Sequence, residues 1–122
     1  MTETTDFSRF GKTFQDKLTY LILTERVFAD QIGEVLDYNF LEFKYLQSIV
    51  KSVYDYKDKY QVYPSLKIMA TLLRSEVDDD VVRDQAKEYL VKTLKDSSII
   101  EDCDYVIQTS LDFCKKQKLK EA

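Results

Sequence analysis

The sequence predicts an all-α protein, with a small helical bundle head followed by an antiparallel helical hairpin. Only two glycines and one proline occur in 122 residues, which leaves few turn-forming residues for a sheet of many strands. Apolar residues recur every three or four positions along most of the chain, the spacing of helices with one buried face. With 44% hydrophobic residues, a chain of this length can bury one core but not two.

The first half of the chain predicts three helices. The first, residues 13–24, has one apolar stripe, and Thr13 is suited to be its N-cap. The second, residues 25–32, has Val27, Phe28 and Ile32 as its apolar residues. It ends at Gly33, which suits the left-handed conformation that follows many helices. The third, residues 41–60, has the longest apolar face, so we expect it at the centre of the bundle.

The second half predicts three more helices. Pro64 ends the third helix, because the residue before a proline avoids helical geometry, and Ser65 can cap the fourth. The acidic run at residues 78–80 is interpreted as a cap at the start of the fifth helix, residues 80–95, where the helix dipole favours negative charge. A metal site is the alternative for this run, but the glycine and terminal glutamate of a calcium loop are not in register.

The sixth helix begins near residue 101 and carries the most basic segment of the chain, residues 115–120. This segment is interpreted as a solvated helix tail, with phosphate contact as the alternative. The short connection at residues 96–98 makes helices five and six an antiparallel hairpin.

These elements divide the chain into three segments. Residues 1–12 are predicted to be a flexible polar N-terminus, residues 13–76 the helical head, and residues 77–122 the hairpin. The last helix has no glycine or proline stop signal, so we expect it to be truncated before a linker and a further domain.

A Gly-Lys-Thr sequence at residues 11–13 is similar to the end of a phosphate-binding loop. Asp6 stands where the first glycine of that loop belongs, and no apolar strand precedes it. The chain also has no histidine, the commonest general base and metal ligand. We therefore predict no catalytic, cofactor-binding or metal-binding residues and no enzymatic activity.

The net charge and the cysteines indicate which partners and which cellular compartment the chain suits. A net charge of -4 argues against a general polyanion-binding surface and strong nucleic-acid binding. Cys103 and Cys114 lie about 16 Å apart along a helix, too far for a disulfide, and are interpreted as reduced core residues of a cytoplasmic protein. No apolar run is long enough to predict a membrane span.

The predicted hairpin has apolar residues on more sides than its two helices need to pair with each other. Any one of them is an ordinary core candidate, but two apolar sides together favour contact with another subunit. The predicted interface residues are Val82, Tyr89, Leu90, Val91, Tyr105, Val106, Leu111 and Phe113.

Two tyrosines of the third helix, Tyr45 and Tyr56, share a flank beside its core stripe. Tyrosine suits partner surfaces because its body is apolar and its tip polar. We predict partner docking there, and ordinary, partly exposed tyrosines are the alternative.

A pattern of apolar and turn residues extends from residue 14 to residue 122. It comprises Leu21-Ile22, Phe28, Ile32, Val35-Leu36, Asp37-Tyr38-Asn39-Phe40, Leu46, Ile49, Val50, Val53, Tyr60, Tyr63-Pro64-Ser65, Leu72, Tyr89-Leu90 and Asp112-Phe113-Cys114. In this order the pattern resembles the N-terminal, or collar, domain of the replicative hexameric DNA helicases of the DnaB family, most closely the bacteriophage type.

The resemblance implies a non-catalytic oligomerisation and primase-docking domain that organises the helicase collar in DNA replication. It implies self-association as a dimer, or as a trimer of dimers in the full ring, with primase and a helicase loader as partners. ATP and Mg²⁺ would belong only to a motor domain beyond residue 122, in a full-length 5'-3' helicase. For a phage protein the implied location is the host cytoplasm.

Two other classes stay open. A free-standing helical adaptor, such as a helicase loader or inhibitor, would bind a replicative helicase, and a stop codon after residue 122 instead of a Walker-type motif would favour it. A small nucleic-acid-binding protein would need affinity for single strands that falls steeply with salt. The net charge of -4 argues against this class.

Overall fold

Six α-helices form the part of the chain that the computed structural model describes, residues 6–95 and 101–121. In chain order they are α1 (Gly11–Thr24), α2 (Arg26–Gly33), α3 (Lys44–Tyr60), α4 (Leu66–Glu76), α5 (Asp80–Lys95) and α6 (Cys103–Glu121). Short 3-10 turns at Ser8–Phe10 and Tyr38–Phe40 precede α1 and α3. No strand occurs in these residues, and the predicted all-α fold class is confirmed.

Helix α3 is the centre of the bundle, as its long apolar face predicts. It packs against α1, α4 and α5. Its side chains Leu46, Ile49 and Val53 are fully buried, and burying each side chain of this kind contributes about 1.5–3 kcal/mol.

The predicted division into a head and a separate hairpin needs correction. Helix α5 packs mainly on α3 and α4, whereas α6 packs mainly on α1 and α2. The apolar faces of both helices are therefore covered by the first four helices. The predicted turn at residues 96–98 and the chain end at residue 122 lie outside the described residues.

The predicted flexible N-terminus is also wrong for the residues that the structure describes. Phe7 is fully buried, and its amide donates a hydrogen bond of 2.8 Å to the carbonyl of Phe40. Gly11 has a φ of 87°, which glycine adopts without strain, and α1 begins there, so Thr13 is not its N-cap. Residues 1–5 of the predicted segment lie outside the described residues.

Gln15 fixes this segment to the rest of the fold, a role that the sequence analysis did not detect. Its side chain is fully buried. The Gln15 Oε1 atom accepts a hydrogen bond of 2.7 Å from the amide of Glu42, and Nε2 donates to the carbonyl of Phe7 at 3.4 Å. One buried amide thus joins α1, the N-terminal segment and the approach to α3 with both of its polar atoms satisfied.

Gly33 has a different role from the predicted one. It is the last residue of α2 and does not have a positive φ. A Cβ atom at this position would lie 2.8 Å from Cε1 of Tyr54. The Tyr54 hydroxyl donates a hydrogen bond of 2.8 Å to the carbonyl of Ala29, so the ring is held against the end of α2. Glycine is therefore required at position 33 because the end of α2 and the Tyr54 ring approach each other closely.

The predicted caps of α4 and α5 are confirmed. The Ser65 hydroxyl accepts a hydrogen bond of 3.2 Å from the amide of Ile68. One Asp79 carboxylate oxygen accepts hydrogen bonds from the amides of Val81 at 2.9 Å and Val82 at 3.1 Å. These groups satisfy amides that a helix start leaves without intrahelical partners.

Asp79→Ala is expected to lower the free energy of unfolding by about 1 kcal/mol, since it removes the N-cap of α5. Urea denaturation followed by circular dichroism measures the change. The control is Asp78→Ala, which removes the same charge beside the cap. An equal loss in both variants would mean that negative charge near the helix start, and not the cap, stabilises α5.

Candidate protein-interaction site

Most of the predicted subunit-interface residues lie inside the monomer. The structure buries Tyr89, Leu90, Val106, Leu111 and Phe113. Val82 is half-buried against the same core. Only Val91 and Tyr105 keep large exposed fractions, 49% and 61%. Six of the eight predicted interface residues are therefore packed in or against the monomer core, and subunit contact stays a prediction only for Val91 and Tyr105.

Contacts within the monomer bury Phe113 and Tyr89. The Phe113 ring lies 4.8 Å from the Phe7 ring, measured between centroids, and the Tyr89 hydroxyl donates a hydrogen bond of 2.6 Å to the carbonyl of Asp16. Burial raises the pKa of Tyr89 above its ordinary value. The second apolar side of each helix faces other parts of the same chain. Periodicity alone does not distinguish this arrangement from contact with another molecule.

The two tyrosines predicted to dock a partner have different environments. Tyr45 is buried, and its hydroxyl donates a hydrogen bond of 3.3 Å to Asp16; burial raises its pKa. This residue is not a docking surface. Tyr56 is half-buried, with its ring centroid 4.6 Å from that of the exposed Tyr60. The pair remains at the surface of α3.

A groove lined mainly by apolar residues lies between the α1–α2 corner and α6. We call it the α2–α6 groove. It encloses about 430 Å³. Its apolar lining is formed by Tyr20, Leu21, Val27, Phe28, Cys103 and Ile107. Glu25 and Asp104 give the same groove two carboxylates.

Val27 is 74% exposed in this groove. The sequence analysis grouped it with Phe28 and Ile32, which are buried. Phe28 and Ile32 are separated by about one helical turn, whereas Val27 is rotated by about 100° from Phe28. This angular offset was the available signal that Val27 faces outward.

Neither cysteine supplies a reactive thiolate. Both are free. Burial raises the pKa of Cys103, which is half-buried in the α2–α6 groove. Burial also raises the pKa of Cys114 to about 12. Both thiols are therefore protonated near neutral pH, and the prediction of a core position is confirmed for Cys114, which is fully buried.

The Gly-Lys-Thr sequence lies beside a polar cleft of about 380 Å³ between α1, α3 and α5. The Lys12 ammonium donates a hydrogen bond of 2.8 Å to Asp16, and this bond raises the pKa of Lys12. The carboxylate neutralises the lysine that a phosphate-binding loop would direct at a nucleotide. This geometry supports the interpretation of the tripeptide as part of a helix start.

A further cleft, which we call the α4–α5 cleft, has a volume of about 370 Å³. Its lining residues are Ala70, Leu73, Arg74, Arg83, Asp84 and Lys87. It shares no lining residue with the α2–α6 groove. The molecule therefore presents an apolar groove and a cationic cleft at two separate places.

The described residues contain neither a candidate metal site nor a helix that could span a membrane. Between residues 6 and 95 and between 101 and 121, no group of three or more histidine, cysteine, aspartate or glutamate side chains could hold a metal ion. Among the helices of those ranges, none has the length and apolarity required to cross a membrane.

Comparisons with known proteins assign no family. The chain matched no protein-family model, no curated protein and no solved structure. A functional proposal therefore depends on the sequence resemblance and on the geometry of the two surfaces.

Proposed function

We propose that the chain is the non-catalytic N-terminal oligomerisation and primase-docking domain of a DnaB-family replicative helicase of the bacteriophage type. The resemblance that motivates this proposal includes Phe28, Ile32 and Leu46, all of which are buried. It also includes two turn segments with local caps: Asp37 accepts a hydrogen bond of 2.9 Å from the amide of Asn39, and Ser65 caps α4. The residues that carry the resemblance therefore include core and cap positions, as the proposal requires.

The proposed mechanism is mechanical. Copies of this domain would hold six motor domains in a ring and keep primase beside them, so that unwinding and priming remain together. ATP and Mg²⁺ would be bound by the motor domain of the full-length helicase. This domain would contribute contacts between subunits and a docking surface.

The observation that carries the proposal is the α2–α6 groove with its exposed Val27. Its apolar lining lies beside the carboxylates of Glu25 and Asp104, and removing apolar surface from water contributes about 25 cal/mol per Å². Helix α6 is also one of the two helices from which the sequence predicts subunit contact, and its Tyr105 is exposed. We assign the groove to a second copy of this chain.

The test is the solution mass of the chain across a concentration series, measured by light scattering. We expect the wild type to exceed its monomer mass of 14.4 kDa as concentration rises. Val27→Glu is expected to weaken self-association at least about tenfold, because it would bury an unpaired charge in the contact.

Val81→Glu is the matched control. Val81 is 67% exposed, and like Val27 it is the second residue of its helix. A glutamate is favoured by the helix dipole at both positions, so both variants should fold equally well. Equal weakening in both variants would refute the assignment of the groove.

A strictly monomeric wild type at millimolar concentration would contradict self-association of this chain. The helical adaptor would then become the better proposal. Binding of the monomer to a separately purified DnaB-type helicase ring would test it.

A further inference from the structure

The α4–α5 cleft concentrates positive charge on an acidic protein. Arg74 comes from α4, and Arg83 and Lys87 come from α5. The whole chain has a net charge of -4, so this local charge is opposite in sign to that of the protein. A charged ligand attracted to this cleft must carry negative charge.

Arg83 is held in place by its own neighbours. It forms an ion pair with Asp80, and its Nη1 atom donates a hydrogen bond of 3.1 Å to the carbonyl of Val77. These contacts fix the guanidinium at the start of α5 and neutralise much of its charge. Arg83 therefore shapes the cleft more than it attracts a ligand.

The other two cations are differently placed. Arg74 donates a hydrogen bond of 3.5 Å to the hydroxyl of Thr71. In the described ranges, neither Arg74 nor Lys87 forms an ion pair with a carboxylate. Asp84 is the one acid lining the cleft. Lys67, two turns before Arg74 on the same side of α4, adds a third exposed cation at the edge.

Apolar surface accompanies these charges. Ala70 is exposed in the lining of the cleft, and Leu73, which also lines it, is buried in the core. Val91 lies one turn beyond Lys87 on the same side of α5 and is half exposed. This surface would accommodate an aliphatic side chain of a ligand whose flanking carboxylates contact Arg74 and Lys87.

We propose that the α4–α5 cleft docks an acidic peptide segment of a partner protein, with carboxylates on Arg74 and Lys87 and an aliphatic residue against Ala70. The features favour a peptide over a nucleic acid. No aromatic side chain lines the cleft to stack on a base. The proposal does not depend on the helicase assignment, since it uses only the charges and lining of the cleft.

The experiment is a titration of the ¹⁵N-labelled full chain, followed by two-dimensional NMR. The probe is an acetylated, amidated peptide of repeated Glu-Leu-Glu units, compared with a peptide of repeated Gln-Leu-Gln units and with oligothymidylate. We expect the acidic peptide to shift the amide signals of Ala70, Leu73, Arg74 and Lys87, and its binding to weaken with added salt. The glutamine peptide should leave these signals in place.

The double variant Arg74→Ala with Lys87→Ala is expected to reduce the affinity for the acidic peptide about tenfold. It leaves Arg83 and the start of α5 unchanged. The matched control, Lys115→Ala with Lys116→Ala, removes the same charge from exposed positions of α6. Unchanged dispersion of the amide signals establishes that both variants are folded.

Three results would overturn the proposal. The first is the absence of shifts in the cleft at millimolar acidic peptide. The second is an equal loss of affinity in the α6 control, which would indicate general electrostatic attraction. The third is tighter binding of oligothymidylate than of the peptide at the same residues, which would make the cleft a nucleic-acid site.

Discussion

Phe113→Ala is expected to lower the free energy of unfolding by about 3–5 kcal/mol, the range for removing a buried phenylalanine ring. The ring is surrounded by Phe7, Phe40 and Phe10, with centroid distances of 4.8, 5.5 and 5.9 Å. Its removal would leave a cavity where the N-terminal segment, the turn before α3 and α6 meet. Since domains are stable by about 5–15 kcal/mol in total, this loss is a large fraction of the stability.

Urea denaturation followed by far-UV circular dichroism measures this loss. Leu119→Ala is the control on the same helix, because Leu119 is 75% exposed. Its effect should stay within about 0.5 kcal/mol of the wild type. A loss below about 1 kcal/mol for Phe113→Ala would contradict its place in the core and would restore the interpretation of Phe113 as a subunit contact.

This result would also decide how self-association can be tested. A charged residue at Leu111 or Phe113 would disrupt the monomer core and so would not report on subunit contact. Val27 offers an exposed position instead, with Val81 as its control. The choice of variants therefore follows from burial and not from the helical pattern.

Gly33→Ala is expected to lower the free energy of unfolding by about 1–3 kcal/mol, the usual cost of overpacking. The new methyl group would approach Cε1 of Tyr54 to 2.8 Å. The ring cannot withdraw without losing the hydrogen bond from its hydroxyl to Ala29. Urea denaturation of the single variants and of the double variant with Tyr54→Ala measures the coupling between the two positions.

The double-mutant cycle separates two explanations of why position 33 requires glycine. If Tyr54 causes the cost, Gly33→Ala becomes neutral or stabilising by up to about 1 kcal/mol once the ring is removed, because alanine is the better helix former. If the glycine is needed for a left-handed backbone, as the sequence predicts, the same cost would appear with and without Tyr54.

Neither candidate surface could be predicted in full from the sequence. The cations Arg83 and Lys87 are four positions apart on a predicted helix, so their shared side could be inferred from spacing. Their juxtaposition with Arg74 could not, because it requires α4 and α5 to pack together. The α2–α6 groove likewise joins residues such as Val27 and Ile107, which are far apart in the chain and adjacent only in the fold.

The all-α class, the approximate extents of the six helices, the Ser65 cap and the acidic start of the fifth helix are all local features of the sequence. These features depend on hydrogen bonds and apolar spacing within a few residues of the chain. Only the folded chain shows that Phe7 and Phe113 share one core and that Gly33 faces Tyr54. Burial depends on which helix faces meet, and those contacts join residues widely separated in sequence, so local periodicity identifies an apolar face without identifying what covers it.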